Sequence, residues 1–101
     1  MARIATKTYR FDVPADAVKA HIYYEKGKDP TYDSPFIEVT FPAGTPQVSV
    51  PIPGSSNIGE GTYTLETSVF DAAGNESDLG AKVTFPFDFT APSAPTNGAV
   101  L

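Results

Sequence analysis

Apolar and polar residues alternate along most of this chain with a period of two residues. In Thr6–Val13, for example, Tyr9, Phe11 and Val13 share one face, while polar side chains occupy the other. Such alternation predicts half-buried β-strands rather than helices. The pattern predicts strands at 6–13, 18–25, 36–41, 47–52, 63–70 and 81–89.

The segments between these strands are rich in glycine, proline, aspartate and serine, which favour turns and loops. The longest such segments predict loops at 27–35 and 53–61. Two prolines lie within predicted strands, Pro51 in the fourth and Pro86 in the last. Because proline donates no hydrogen bond to a β-ladder, both strands are expected at sheet edges.

Each predicted strand offers one apolar face, which a second sheet must cover to exclude water. Short strands separated by turn residues therefore predict an all-β fold, a two-sheet antiparallel β-sandwich. One domain is expected at 1–89, since a chain of 101 residues suffices for a single core. Residues 90–101 then form a proline-rich tail.

Charge and composition exclude several classes of function. The formal net charge of −5, with no basic cluster, disfavours binding to nucleic acids and to anionic membrane surfaces. The absence of cysteine excludes disulfides and thiolate metal sites. The N-terminus lacks the features of a signal peptide, and no apolar run approaches the ~20 residues that span a bilayer. We therefore expect neither nucleic-acid binding nor membrane insertion.

Residues suited to catalysis are few. His21 is the one histidine, and no second histidine or cysteine exists to share a metal with it. The chain shows neither the spacing of a catalytic triad nor a glycine-rich phosphate loop. We expect no enzymatic activity and no cofactor.

Oxygen-bearing side chains cluster after the fifth strand. Asp71, Asn75, Glu76 and Asp78 lie within eight residues, which makes calcium binding conceivable. Their spacing differs from that of an EF-hand loop. Asp71 followed by Gly74 and Asn75 is typical of a turn, because Gly and Asn adopt positive φ at little cost. A turn is the favoured interpretation.

Two segments resemble a fibronectin type III domain, one of the immunoglobulin-like sandwiches. Strands B and C of that family are similar to YRFDVPADAVKAHIYYEKG, and strand F with the F–G turn is similar to GTYTLETSVFDAAGNESD. The resemblance implies sheets ABE and C′CFG, with Tyr63 as the corner tyrosine that anchors the E–F crossing. Phe11, Ala20 and Thr67 stand where the family usually has Trp, Tyr and an apolar residue. The Thr67 hydroxyl would therefore need a buried partner.

The resemblance leaves strand A in question. Too few residues precede strand B to form both strand A and the A–B turn, whereas TAPSAPTNGAVL at 90–101 resembles the linker and strand A that open such a domain. Three interpretations are open: the tail starts a following tandem domain, folds back on its own domain, or fills the strand A position of another copy, head to tail. In the third, the donated segment contains Pro95, Ala99, Val100 and Leu101.

Aromatic residues outside the predicted core form a second candidate site. Tyr23 and Phe70 are predicted to point outward from the C′CFG sheet, and Tyr32 lies in a predicted loop. Exposed aromatic side chains stack on sugar rings or contact protein partners. Cross-strand aromatic pairs also stabilise a sheet face without binding anything.

Three functions are consistent with these features. The first is a non-enzymatic structural or interaction module, a spacer or adhesion-type domain of a larger surface, secreted or virion protein, located outside the cell, at its surface or on a virion. The second is a self-assembling filament subunit that donates its C-terminal strand to the next copy. The third is a carbohydrate- or protein-binding module that uses Tyr23, Tyr32 and Phe70.

Overall fold

The computed structural model describes residues 7–52, 59–88 and 90–101, which form β-strands joined by turns and loops. The predicted strands are confirmed, with ends that shift by at most two residues. Thr6 at the predicted start of the first strand, most of the predicted 53–61 loop, and Phe89 at the predicted end of the last strand lie outside the described residues. The strands are β1 (Lys7–Asp12), β2 (Lys19–Lys26), β3 (Phe36–Thr40), β4 (Gln47–Ile52), β5 (Gly61–Phe70) and β6 (Gly80–Phe87).

The strands form two antiparallel sheets. One sheet contains β1 and β4, and the other has the order β3-β2-β5-β6. Within the described ranges β4 pairs only with β1, and β6 only with β5, which confirms the edge positions that Pro51 and Pro86 predicted. The fold is all-β with sheets of two and four strands, consistent with a β-sandwich.

The core lies between the sheets and consists of the alternating apolar positions. Ile22 and Leu65 from the larger sheet and Ile52 from the smaller one are at most 1% exposed. Full burial of such a side chain contributes ~1.5–3 kcal/mol, so these positions hold the two sheets together. The buried cluster also includes Tyr9, Phe11, Val13, Ala17, Ala20, Tyr24, Val48, Val50 and Phe87.

Asp71 organises the turn that follows β5. Its carboxylate accepts hydrogen bonds from the backbone amides of Ala73 (3.0 Å) and Asn75 (2.9 Å) and from the Asn75 side chain (3.1 Å). These bonds, led by the one from the Asn75 side chain, favour the ionised form and lower the pKa of Asp71. Gly74 has the expected positive φ of 90°, but Asn75 does not, so its predicted backbone role is wrong. Asn75 contributes hydrogen-bond donors instead.

A hydrogen-bonded junction of Tyr9, Thr67 and Ala81 connects the two sheets. The Tyr9 hydroxyl donates to the Ala81 carbonyl oxygen at 2.9 Å and lies 2.7 Å from the Thr67 hydroxyl. Because the Tyr9 proton is directed at Ala81, the Thr67 hydroxyl donates to Tyr9. The buried Thr67 hydroxyl thus finds the partner it needs in the opposite sheet.

Ala81 reaches this junction because β6 contains a β-bulge. Strand pairing passes from Leu65–Val83 to Thr67–Gly80, so β6 uses one more residue than β5 over this interval. Ala81 has a φ of 52°, in the left-handed region that is unfavourable for a residue with a Cβ atom. The hydrogen bond from Tyr9 helps to hold its carbonyl in this orientation.

We expect Ala81→Gly to raise the free energy of unfolding by about 1 kcal/mol, because glycine adopts positive φ without the Cβ contact. Thr40→Gly is the matched control, since Thr40 is exposed, ends β3 and lacks a positive φ. We expect the control to lower stability by ~0.5–1 kcal/mol. Urea denaturation of the full chain measures both changes, and equal losses would show that Ala81 is not strained in solution.

Candidate functional site

An open groove lies between β1 and β6. In the described part of the chain β1 pairs with β4 alone and β6 with β5 alone, so each has one unpaired edge. Val83 and Phe85 of β6 pair with Leu65 and Tyr63 and lie on the core face, as the pattern predicted. Each nevertheless remains 40% exposed. Their exposure follows from the two-stranded width of the β1–β4 sheet, which does not extend over them.

The groove has an apolar floor and a partly charged rim. Its volume is about 520 Å³. Lys7 and Arg10 of β1 supply the charge, and the Lys7 ammonium lies 5.5 Å from the Phe85 ring centroid, within range of a cation–π interaction. The apolar lining comprises Tyr9, Ile52, Leu65, Val83, Phe85 and Phe87.

The two strands that border the groove run in opposite directions. Lys7 lies against Phe85 and Tyr9 against Ala81, so residue numbers rise along β1 as they fall along β6. An extended segment in the groove would be antiparallel to one strand and parallel to the other. The open edge of a strand presents backbone N–H and C=O groups that can pair with such a segment. The groove therefore combines a hydrogen-bonding edge with an apolar pocket.

The C-terminal tail, 90–101, lies outside this groove. It forms no strand, and beyond Thr90 the one side-chain hydrogen bond that it makes with described residues joins the neighbours Asn97 and Thr96. Val100 and Leu101 have relative exposures of 102% and 116%, and Pro95 and Ala99 are exposed as well. The tail therefore does not fold back onto the described part of its own domain.

A second cluster lies on the outer face of the four-stranded sheet, and we call it the outer aromatic cluster: His21, Tyr23, Tyr32, Phe36 and Phe70. Tyr23 points to this outer face but is only 3% exposed, so the expectation that its side chain is exposed is wrong. The rings of Tyr32 and Phe36 pack against it, with centroids 5.8 Å and 5.5 Å away. Residues from the loop and from β3 thus cover a side chain that alternation alone directs to solvent.

Polar contacts hold Tyr23 in this position. Its hydroxyl donates to Glu76 Oε2 at 2.6 Å, and the Ser68 hydroxyl donates to the same oxygen at 2.5 Å. Burial and the neighbouring carboxylate both disfavour the phenolate and raise the pKa of Tyr23 to about 12. Glu76 therefore ties the turn after β5 to the sheet.

On β5, the aromatic residue predicted to point outward is also partly covered. Phe70 is half-buried. The Lys19 ammonium lies 4.4 Å from its ring centroid, and the His21 ring packs edge-on with its centroid 4.5 Å away. The exposed aromatic surface consists of Tyr32 (50%) and Phe36 (48%). Phe36 was not expected in this cluster. A ligand-binding role for Tyr23, Tyr32 and Phe70 stays a prediction.

Two of the carboxylates considered for calcium, those of Asp71 and Glu76, are engaged in local contacts. Asp71 accepts the turn hydrogen bonds, and Glu76 accepts those from Tyr23 and Ser68. Within 7–52, 59–88 and 90–101, no group of three or more His, Asp or Glu residues is arranged to hold a metal ion. These contacts favour the turn interpretation of the segment.

Tyr63, the predicted anchor, packs at one end of the core. Its ring contacts those of Tyr24 and Phe87, with centroids 6.2 Å and 5.9 Å away. Its hydroxyl lies 3.9 Å from the position that a Cβ atom would take at Gly59. Residues 53–58 of the β4–β5 connection lie outside the described residues, so anchoring of that connection by the hydroxyl stays a prediction.

Sequence reasoning did not assign the groove residues. The alternation predicts strand positions for Lys7, Tyr9 and Arg10 and one face of a strand for Val83 and Phe85, but no groove. The available signal was the uninterrupted apolar face of β6.

Among the described residues, no helix is long and apolar enough to cross a membrane. Function is inferred from the geometry alone, because comparisons of the chain with family models, curated proteins and solved structures found no match.

Proposed function

We propose that this chain is a non-enzymatic structural and interaction module of the fibronectin type III-like, immunoglobulin-like class. The orders β1-β4 and β3-β2-β5-β6 correspond to those that the resemblance implies for strands B–E and C′–C–F–G. On this correspondence the groove occupies the position of strand A. The module acts by accepting an extended apolar segment there, as a spacer or adhesion-type domain of a larger surface, secreted or virion protein.

The open groove is the observation that carries this proposal. Val83 and Phe85 lie on the core face but are each 40% exposed, and they stand beside the unpaired edge of β1. A strand placed in the groove would remove both side chains from water and pair with the β1 backbone. Apolar burial contributes ~25 cal/mol per Å², and edge pairing removes the hazard of an open strand.

The outer aromatic cluster supports a binding role less well. Tyr23 donates its hydroxyl proton within the protein and is almost fully buried. Phe70 is partly covered by Lys19 and His21. These contacts match the alternative in which cross-strand aromatic pairs stabilise a sheet face.

A strand-forming probe tests the proposal. An excess of an acetylated and amidated hexapeptide of alternating threonine and valine is titrated into the isotopically labelled full chain. We expect NMR shift changes at the amides of β1 and β6, and hydrogen exchange on the open edge of β1 slowed by about tenfold or more, because those groups become hydrogen bonded.

Val83→Lys in the full chain is the matched variant for this titration. It places a charge in the groove at a position that is already 40% exposed, so we expect the fold to survive and peptide binding to be lost. Phe36→Lys, at an exposed apolar residue of the opposite face, should leave binding unchanged. Shift changes centred on Tyr32 and Phe36, or none up to millimolar peptide, would contradict a strand-accepting groove.

A further inference from the structure

We infer that the segment this groove accepts is the C-terminal tail of a second copy of the chain, so that copies join head to tail. This inference rests on the proposed strand-accepting function and names its partner. The donated strand is Gly98–Leu101, and residues 90–97 act as the spacer. Ala99, Val100 and Leu101 supply the apolar side chains.

The chemistry of the tail fits the groove. Residues 90–101 contain no charged side chain, so no charged side chain is desolvated when the tail enters an apolar pocket. Its apolar end is exposed, with Val100 and Leu101 making no contact that covers them. The chain therefore carries an exposed apolar segment and an exposed apolar groove.

The direction of the strands favours donation between copies. Phe85 lies against Lys7, so β6 ends at the pole where β1 begins, and the tail leaves the domain there. A strand antiparallel to β1 must enter from the opposite pole, at Asp12. When two copies stack end to end, the tail of one emerges at the entry pole of the next. Antiparallel pairing with β1 then requires no reversal of the chain.

Proline placement disfavours the alternative in which the tail folds back on its own β6. The residues that would pair first in such a hairpin include Pro92 and Pro95, which cannot donate ladder hydrogen bonds. The eight spacer residues, at ~3.1 Å each, instead form a semi-rigid connection of ~25 Å. Asn97, with a φ of 58°, places a bend at its end, directly before Gly98.

The resulting contact is heterologous, because the groove of one copy meets the tail of another. Such a contact leaves a free tail at one end of every assembly and a free groove at the other. Repeated addition therefore yields open filaments unless the rotation between copies closes a ring.

Two full-length variants test the tail side and the groove side of this contact independently. The tail variant carries Val100→Asp and Leu101→Asp, and the groove variant carries Val83→Lys. By sedimentation velocity, we expect the unmodified chain to associate with increasing concentration. Each variant alone should lose at least ~100-fold in association constant, because each would bury a charge. An equimolar mixture should form a 1:1 dimer that grows no further, since one intact tail and one intact groove remain.

Two controls assign the effect to the proposed contact. Ser93→Asp with Thr96→Asp adds the same charge to the spacer and should leave association within about threefold of the unmodified chain, because the spacer stays in solvent. Phe36→Lys tests the opposite face and should likewise have little effect. Far-ultraviolet circular dichroism confirms that each variant is folded.

The inference is overturned if the unmodified chain stays monomeric to millimolar concentration, or if the two variants do not form the 1:1 dimer when mixed. Association that Phe36→Lys abolishes would also overturn it, by assigning the interface to the outer aromatic cluster. Hexapeptide binding to the groove of a chain that never self-associates would reject self-donation and leave the strand-accepting function intact. Failure of the hexapeptide to bind would instead reject the function itself.

Discussion

Leu65→Ala is expected to lower the free energy of unfolding by about 2–5 kcal/mol, whereas Val83→Ala should cost only about 1 kcal/mol. The two residues are direct cross-strand partners on the same face of β5 and β6. Leu65 is 1% exposed and Val83 is 40% exposed, so truncation leaves a cavity at the first and removes a partly hydrated side chain at the second. A domain of this size has ~5–15 kcal/mol of stability, so the Leu65 change alone approaches the limit of folding.

Urea denaturation of the full chain at low micromolar concentration measures both changes. Low concentration matters because assembly would bury Val83, and Val83→Ala would then lower the free energy of unfolding by more. Similar m-values in the two variants would confirm that the unfolded states are comparable. If Val83→Ala destabilises as much as Leu65→Ala under these conditions, the groove is closed in solution and the open-edge model is wrong.

Tyr9→Phe is expected to lower the free energy of unfolding by about 1–3 kcal/mol, although it removes a single oxygen atom. The Tyr9 hydroxyl connects Thr67 of the larger sheet to the Ala81 carbonyl of the bulge. Its loss leaves the Thr67 hydroxyl, 5% exposed, without its partner across the two sheets. An unsatisfied buried hydroxyl costs its desolvation energy, which exceeds the net value of the bond itself.

A double-mutant cycle separates this penalty from general damage. Thr67→Val removes the second hydroxyl with little change in shape, so Tyr9→Phe combined with Thr67→Val should cost less than the sum of the single changes. Denaturation of all four chains gives the coupling energy. Strict additivity would show that the two hydroxyls do not interact, and the inter-sheet junction would then contribute nothing to stability.

Local rules account for most of the strand assignment. The period-two alternation located all the strands seen, because one face of each lies on a core and the other on solvent. Pro51 and Pro86 identified edge strands, because a missing N–H donor is tolerated only where no partner is required. Asp71 and Gly74 identified a turn for equally local reasons of hydrogen bonding and φ.

Contacts between residues far apart in the sequence account for the features that the local patterns did not predict. Tyr23 follows the alternation to the outer face, yet Tyr32, Phe36 and Glu76 from three separate segments cover it. The bulge carbonyl of Ala81 accepts a hydrogen bond from Tyr9, 72 residues away in sequence. Alternation assigns a face to a side chain, but its burial depends on what lies opposite.

The tail and the groove show this division most clearly. The amino-acid sequence alone determined that β6 has an apolar face and that 90–101 is proline-rich and has no charged side chain. Those are properties of composition, spacing and period. Only the tertiary structure decided that Val83 and Phe85 stay exposed beside the open edge of β1 and that β6 ends at the pole where β1 begins. Sheet order and strand direction arise from long-range pairing, which no local pattern encodes.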